Sequence, residues 1–98
     1  MTGTTRSSEG LDPRRRKILF RSWHRGIREV DLLTGRFADR YISELSDSDL
    51  DDFEKLLMDV PDHDLYYWIT EESTAPAVYD TAVLRSLRDF HQKFGGGR

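Results

Sequence analysis

The stretch Trp23–Asp31 places a glycine between charged side chains of opposite sign. Arg25 precedes Gly26 in this stretch, and Glu29 follows it. A glycine allows the backbone to bend, or to approach another chain closely, where a side chain would stand in the way. Arginine and glutamate can form directional, charge-assisted hydrogen bonds, and neither suits a buried position. These residue types predict a docking site rather than a reaction site.

The same residues also have a purely structural interpretation. Gly26 would mark the bend between two helices, and Glu29 and Asp31 would lie in the first turn of the second helix. Negative charge is favourable there because the amino end of a helix carries a partial positive charge. The residue types and their spacing leave both interpretations open.

The remaining polar residues form no recognisable catalytic or metal-binding pattern. The segment Asp62–Asp64 has a histidine between two acids, which is more typical of a helix-capping turn than of a metal site. Acids alternate from Asp47 onwards as in a calcium loop, but Asp52 stands where that loop requires glycine, and Met58 where it requires glutamate. The sequence has neither a nucleophile elbow nor a phosphate-binding glycine loop. We therefore predict no catalytic residue, no metal site and a protein that is not an enzyme.

A basic run, Arg14, Arg15, Arg16 and Lys17, follows Asp12-Pro13 at the predicted start of the first helix. Positive charge in a first helical turn opposes the helix dipole, so the run requires an explanation. It is either a solvated helix face or a contact for an acidic partner surface or a phosphate. Nucleic acid is not the expected ligand, because the formal net charge is -3 and the isoelectric point is about 5.5.

The composition indicates one small globular domain without disulfides. The chain has 98 residues, of which 37% are hydrophobic and 34% charged, and it contains no cysteine. No apolar segment approaches the length of a membrane-spanning helix, so no membrane insertion is expected. Residues 1–11 and 94–98 are predicted to be disordered tails around a domain at residues 12–93. With no secretory signal visible, we predict a bacterial cytoplasmic protein, although a mature organellar protein stripped of its presequence would look no different.

Hydrophobic periodicity predicts an all-α fold, a compact five-helix bundle in a single domain. The second helix has the clearest pattern, because apolar residues recur at spacings of three and four from Val30 to Tyr41. Gly35 lies inside this helix, away from the apolar stripe, where glycine costs up to about 1 kcal/mol relative to alanine. Either the close approach of another helix or of a partner requires this glycine, or the helix simply tolerates it.

The other helices are bounded by capping residues and prolines. The first helix is predicted to bury Leu19, Phe20 and Trp23 on one side before it stops near His24. The remaining predictions are a third helix from the cluster Ser46–Asp49 to Pro61, a short fourth helix capped by Asp62, and a last helix from Tyr79 or Asp80 to Lys93.

Three segments resemble, in order, the motifs of a known family. Arg25–Glu29 reads RGIRE and is similar to an RGxxE motif. Leu45–Asp47 then precedes a helix with Phe53 and a leucine pair, and Asp62–Trp68 supplies the third match. Together with the chain length, these segments resemble the SdhE-type FAD assembly factors, also called succinate dehydrogenase assembly factor 2, over about residues 12–91.

This resemblance implies a five-helix chaperone for the flavoprotein subunit of succinate dehydrogenase, and in some bacteria for that of fumarate reductase. Family members promote covalent attachment of FAD to a histidine of that subunit. FAD would thus be the cofactor of the partner rather than one bound tightly by this chain, which would be a monomer when free. The family motif maps the partner-binding residues onto Arg25, Gly26 and Glu29, with His24, Arg28 and Asp31 as weaker candidates.

Two other functions stay open as alternatives. One is a component of a toxin–antitoxin system, a label given to relatives in this family. The other is a regulator that uses the basic run on nucleic acid, which the acidic balance of the chain disfavours.

Overall fold

A computed structural model of the protein describes residues 9–95, with side chains through Lys93. This part of the chain contains five α-helices and no strand, which confirms the predicted all-α bundle. Most of the two predicted tails, at residues 1–8 and 96–98, lies outside the described residues. Leu11, which the prediction placed in the amino-terminal tail, is buried in the core. The helices are α1 (Pro13–Ser22), α2 (Arg28–Tyr41), α3 (Asp47–Asp59), α4 (Asp62–Ile69) and α5 (Ala82–Phe90).

Side-chain caps fix three of the helix starts. Asp12, Ser46 and Thr81 accept backbone N–H groups at the beginnings of α1, α3 and α5. The predicted start of the last helix at Tyr79 or Asp80 is wrong, because Thr81 caps α5 and the residues Ala77–Tyr79 form a separate 3-10 turn. A π-helical turn, His91–Gly95, then continues from α5.

The core is centred on Phe37 of α2, the longest helix. Phe37 is 1% exposed and meets Phe53 of α3 and Phe90 of α5 edge to face, with ring centroids 5.5 and 6.0 Å apart. Helix α2 packs against α1, α4 and α5, while α3 packs against α1 and α5. Because α2 contacts three other helices, the residues at its amino end are held in place by several elements at once.

Helix α1 buries a different face from the one predicted. Its core side consists of Ile18, Leu19 and Ser22, whereas Phe20 is 62% exposed. Phe20 lies about 160° around the helix from Ile18, so both cannot face the core. The prediction that Phe20 belongs to the buried stripe is therefore wrong, and an aromatic side chain is left on the outer face of α1.

Gly35 is explained by the close approach of an indole ring. A Cβ atom at Gly35 would lie 2.3 Å from Cδ2 of Trp23, the residue that follows α1. Trp23 is buried, and its Nε1 donates a hydrogen bond of 3.0 Å to the carboxylate of Asp39. Of the two explanations that the sequence left open for this glycine, the structure shows close packing within the chain itself.

Two residues of the basic run make polar contacts with other parts of the chain. Arg14 donates to Asp51 and Glu54 of α3, at 2.5 and 3.0 Å, and these carboxylates raise its pKa. Arg15 donates to the backbone oxygens of Ile42 and Leu45, at 2.9 and 2.6 Å, where the chain leaves α2.

Arg15 also holds Asp12, the residue that caps α1. The hydrogen bond from its guanidinium lowers the pKa of the Asp12 carboxyl, so this carboxyl stays charged to a lower pH in the folded chain. Arg16 and Lys17 are exposed and have no ion pair among the described residues. Only this second half of the basic run is available to a partner.

Candidate partner-binding site

The candidate site begins in the loop that joins α1 to α2. Gly26 has a φ angle of +118°, a backbone conformation that side-chain-bearing residues rarely adopt. This conformation turns the chain sharply after Trp23, so that α2 starts at Arg28 and packs back against α1. The glycine is exposed, which leaves its backbone accessible from outside. Gly26 thus makes the predicted bend and also offers a surface without a side chain.

Replacing Gly26 with alanine is expected to lower the free energy of unfolding by about 1–3 kcal/mol, because the φ angle becomes strained. Space is not the obstacle, since a Cβ atom would make an ordinary contact of 3.6 Å with Asp62. Urea unfolding followed by circular dichroism measures the change. Arg28→Ala is the matched control, because Arg28 is exposed and helical two residues further on. Equal stability of Gly26→Ala and the wild type would contradict the strain argument.

Arg25 lies inside the protein, which corrects the expectation that it does not suit a buried position. Its side chain is 8% exposed and pairs with the carboxylate of Asp62, with Nη2 and Oδ1 2.6 Å apart. The same guanidinium donates to the backbone oxygens of Val60, at 2.6 Å, and of Leu57. These oxygens belong to the end of α3, where helix carbonyls lack partners within the helix. Arg25 therefore joins the α1–α2 loop to the junction of α3 and α4.

Two aspartates complete this internal arrangement. Asp31 accepts the backbone N–H of Arg25 at 2.6 Å and so ties the loop to the first turn of α2. Asp62 was predicted to cap α4, but Pro61 holds the capping position and the Asp62 carboxylate receives the Arg25 guanidinium instead. Asp31, a weaker candidate for partner binding, thus has a positioning role in the free protein.

Glu29 and Arg28 remain on the outside. Both are exposed, and neither makes a side-chain hydrogen bond or an ion pair with any other described residue. Because they occupy the first two positions of α2, the Arg25–Asp62 pair and the Gly26 turn fix where they point. The RGxxE motif is therefore divided, with its arginine inside and its glutamate at the surface.

Two grooves meet at Glu29. The first, of about 240 Å³, runs between the start of α2 and α4, and the second, of about 180 Å³, runs towards the end of α5. Glu29 and Tyr66 line both grooves. The first groove is lined by Ile27, Glu29, Val30, Asp62, His63, Tyr66 and Tyr67; the second by Glu29, Leu32, Leu33, Arg36, Tyr66, Phe90 and His91.

The side chains that α4 contributes were not among the predicted site residues. Tyr66 is half-buried and Tyr67 is 42% exposed, and their rings meet edge to face with centroids 5.8 Å apart. A signal was present in the sequence, because Leu65 and Trp68 share the buried face of α4 and leave the two tyrosines outside it. That these tyrosines stand beside Glu29, more than thirty residues away in the chain, depends on the packing of α4 against α2.

His24, the last of the weaker candidates, is exposed and packs on Phe20 of α1. Its ring stacks on Phe20 with centroids 3.9 Å apart, and its Nδ1 lies 2.6 Å from the Phe20 carbonyl oxygen.

Within residues 9–95, no three side chains of the types that bind metals come together. The same part of the chain has no helix with the length and apolar character needed to cross a membrane.

Comparison with known proteins assigns the chain to a family. Residues 16–91 match the model of the family described as "Flavinator of succinate dehydrogenase", and this range holds Gly26, Glu29 and both grooves. The chain belongs to this family.

Alignments with named relatives cover two thirds or more of this chain. Succinate dehydrogenase assembly factor 2 of Debaryomyces hansenii is 48% identical over 66 residues, which are 67% of this chain and 46% of that protein. The proteins of the same name from Kluyveromyces lactis and Danio rerio are 36% and 35% identical, each over 87% of this chain and 54% of their own length. The chain thus spans about half the length of the curated relatives that it matches.

The names of these relatives contradict the predicted location. All three are called mitochondrial, and they come from eukaryotes, so the prediction of a bacterial cytoplasmic protein is wrong. The composition could not separate the two cases, because a mature organellar domain and a bacterial one have the same balance of apolar and charged residues.

Proposed function

We propose that this chain is an assembly factor that binds the flavoprotein subunit of succinate dehydrogenase and promotes covalent attachment of FAD to it. The chain belongs to the family described as the flavinator of succinate dehydrogenase, and its relatives are named as assembly factors of that enzyme. In this proposal FAD is the cofactor of the partner, and the reacting groups come from the flavoprotein rather than from this chain.

The proposal rests on the exposure of Glu29 and on its position between the two grooves. A carboxylate without a partner among the described residues stands where two grooves meet, beside the exposed backbone of Gly26. Such a group is free to accept charge-assisted hydrogen bonds from another protein. Aromatic side chains such as Tyr66 and Tyr67, which are enriched in the centres of protein interfaces, line the grooves around it.

The division of the RGxxE motif suits this function. Arg25, Asp31 and Asp62 hold the loop and the start of α2 in one geometry, so a partner meets a surface that is already ordered. Glu29 and Arg28 then supply one acceptor and one donor, and the bare backbone at Gly26 allows close approach.

A non-catalytic mechanism follows from this rigidity. If the surface binds one conformation of the flavoprotein more tightly than the others, it raises the population of that conformation by its difference in affinity. The favoured conformation would be the one in which FAD and the acceptor histidine are aligned. The chain then promotes the attachment without taking part in bond formation.

Replacing Glu29 with glutamine is expected to weaken binding to the flavoprotein subunit by about 10- to 100-fold, because a neutral amide replaces a charged acceptor. Stability should stay within about 0.5 kcal/mol of the wild type, since the side chain is exposed and unpaired. Isothermal titration calorimetry with the purified subunit gives the affinity, and thermal unfolding gives the stability. Glu44→Gln is the matched control, since Glu44 is exposed beyond the end of α2.

Two results would count against this role of Glu29. If Glu29→Gln binds the subunit as tightly as the wild type does, the carboxylate is not part of the interface. If Glu29→Gln unfolds at a markedly lower temperature, Glu29 acts on the fold, as the helix-dipole interpretation holds.

A further inference from the structure

We propose that the outer face of α1 is a second contact surface, on which an acidic segment of the flavoprotein subunit lays an apolar side chain over Phe20. The surface consists of Arg16, Lys17, Phe20 and His24 and is called the α1 platform. This inference rests on the proposed function, because it takes the same flavoprotein as the partner. It adds a separate surface with its own chemistry, outside the two grooves at Glu29.

The charge distribution of the chain points to an acidic occupant. Residues 13–28 contain seven arginine and lysine residues and no acidic residue, while the other eight basic residues share the rest of the chain with all 18 acidic residues. Arg14, Arg15 and Arg25 are neutralised by carboxylates of the chain itself. No ion pair forms among the described residues at Arg16, Lys17, Arg21 and Arg28. On the outer face of α1, the exposed Arg16 and Lys17 thus leave uncompensated positive charge.

Two of these free charges lie next to an exposed aromatic ring. Phe20 is 62% exposed, and the helical spacing puts Arg16 and Lys17 one turn before it on the outer face of α1. One exposed aromatic residue alone is ordinary. Phe20, however, is stacked on His24 at 3.9 Å with the rings 16° from parallel, so it is held in one orientation. Because ordering the ring in advance lowers the entropy lost on binding, this arrangement favours its use as an anchor.

His24 has a defined role in the platform. The Phe20 carbonyl oxygen can only accept, so the His24 Nδ1 atom that lies 2.6 Å from it carries the hydrogen. This hydrogen bond fixes the imidazole over one face of the Phe20 ring and leaves Nε2 free. Phe20 is still 62% exposed, so its ring remains accessible to an apolar side chain of the partner.

The platform lies close to Gly26 in the chain, which favours the same flavoprotein partner that is proposed to bind at Glu29. His24 is two residues before Gly26, which is at most about 7 Å of extended chain. A flavoprotein that approaches the bare backbone at Gly26 therefore passes close to the His24 ring. Aromatic and arginine side chains together, with polar groups around them, are the composition typical of energetically dominant interface residues.

The test compares two exposed apolar residues. Phe20→Ala is expected to bind the purified flavoprotein subunit about 10-fold more weakly or worse, whereas Val78→Ala, at a position that is 60% exposed on the 3-10 turn, should bind like the wild type. Isothermal titration calorimetry measures both affinities, and thermal unfolding verifies that both variants are folded.

A second comparison tests the charge. Reversing Arg16 and Lys17 together to glutamate should weaken binding of the subunit and flatten its dependence on salt, because the long-range attraction is lost. Lys55→Glu is the single-site control reversal, to be compared with each of Arg16→Glu and Lys17→Glu alone, since Lys55 is exposed on α3 and lies outside the platform.

The outcomes separate this inference from the proposed function. If the wild-type chain does not bind the flavoprotein subunit at all, the proposed function fails and the platform inference fails with it. If the wild type binds and Phe20→Ala binds equally well, the platform inference alone is overturned. It is also overturned if these changes abolish binding to vesicles that contain an anionic phospholipid and leave flavoprotein binding unchanged, because the platform then faces a membrane.

Discussion

Replacing Arg25 with methionine is expected to destabilise the folded chain by about 3–5 kcal/mol, because the change leaves a buried carboxylate without its counter-ion. The Asp62 side chain is 15% exposed and pairs with Arg25 across the interface between the loop and α4. The backbone oxygens of Leu57 and Val60 would also lose their donor. Urea unfolding measures the loss of stability. Because folded domains are stable by only about 5–15 kcal/mol, a loss of this size would leave a large fraction of the variant unfolded.

The neighbouring arginine provides the control for this prediction. Arg28→Met removes the same charge from an exposed position without an ion pair and should change stability by no more than about 0.5 kcal/mol. Arg25→Lys should recover only part of the loss, because an ammonium group cannot reach the carboxylate and both carbonyls in the fixed geometry of a guanidinium. Equal stability of Arg25→Met and Arg28→Met would show that Arg25 is not an internal link and would return it to the partner-binding surface.

The second large effect is expected at Gly35. Gly35→Ala should lower the free energy of unfolding by about 2–3 kcal/mol, although alanine is the better helix former by up to about 1 kcal/mol. The new methyl group would lie 2.3 Å from the Trp23 ring, far inside the contact distance of two carbon atoms. The indole cannot retreat easily, because it is buried and bonded to Asp39 through Nε1.

Thermal unfolding with two further variants tests this explanation. Ser86→Ala adds no atom and sits at an exposed position of α5, so it should be neutral or slightly stabilising. Trp23→Leu in the Gly35→Ala background should cost less than it costs in the wild type, because the smaller side chain makes room for the methyl group. Additive effects of the two changes would contradict the packing explanation.

Local rules predicted the helices well. The caps at Asp12 and Ser46 and the apolar spacing from Val30 to Tyr41 depend on residues within one or two turns, so the sequence suffices to find them. The error at the last helix concerns its first turn. The Tyr79 ring stacks on Trp68 with centroids 5.7 Å apart and belongs to the 3-10 turn, which an apolar pattern cannot distinguish from a helical turn.

The geometry of the candidate site depends on contacts between residues far apart in the chain, and the sequence alone does not predict such contacts. Arg25 carries a charge that normally faces water, yet Asp62 and the end of α3, more than thirty residues away, make it an internal residue. The motif directed attention to the stretch Arg25–Glu29, and Glu29 and Gly26 lie at the surface as a docking site requires. Its arginine, however, was expected at the partner surface and lies inside in the free protein.

The most direct test of the assembly-factor proposal is the fraction of flavoprotein subunit that acquires covalent FAD. The purified subunit without flavin is incubated with FAD, with or without an equimolar amount of this chain, and covalent flavin is read as fluorescence in a denaturing gel. The proposal predicts that the wild-type chain raises this fraction, that Glu44→Gln does the same, and that Glu29→Gln raises it clearly less while remaining folded. If the wild-type chain leaves the fraction at the level found without it, the proposal is contradicted.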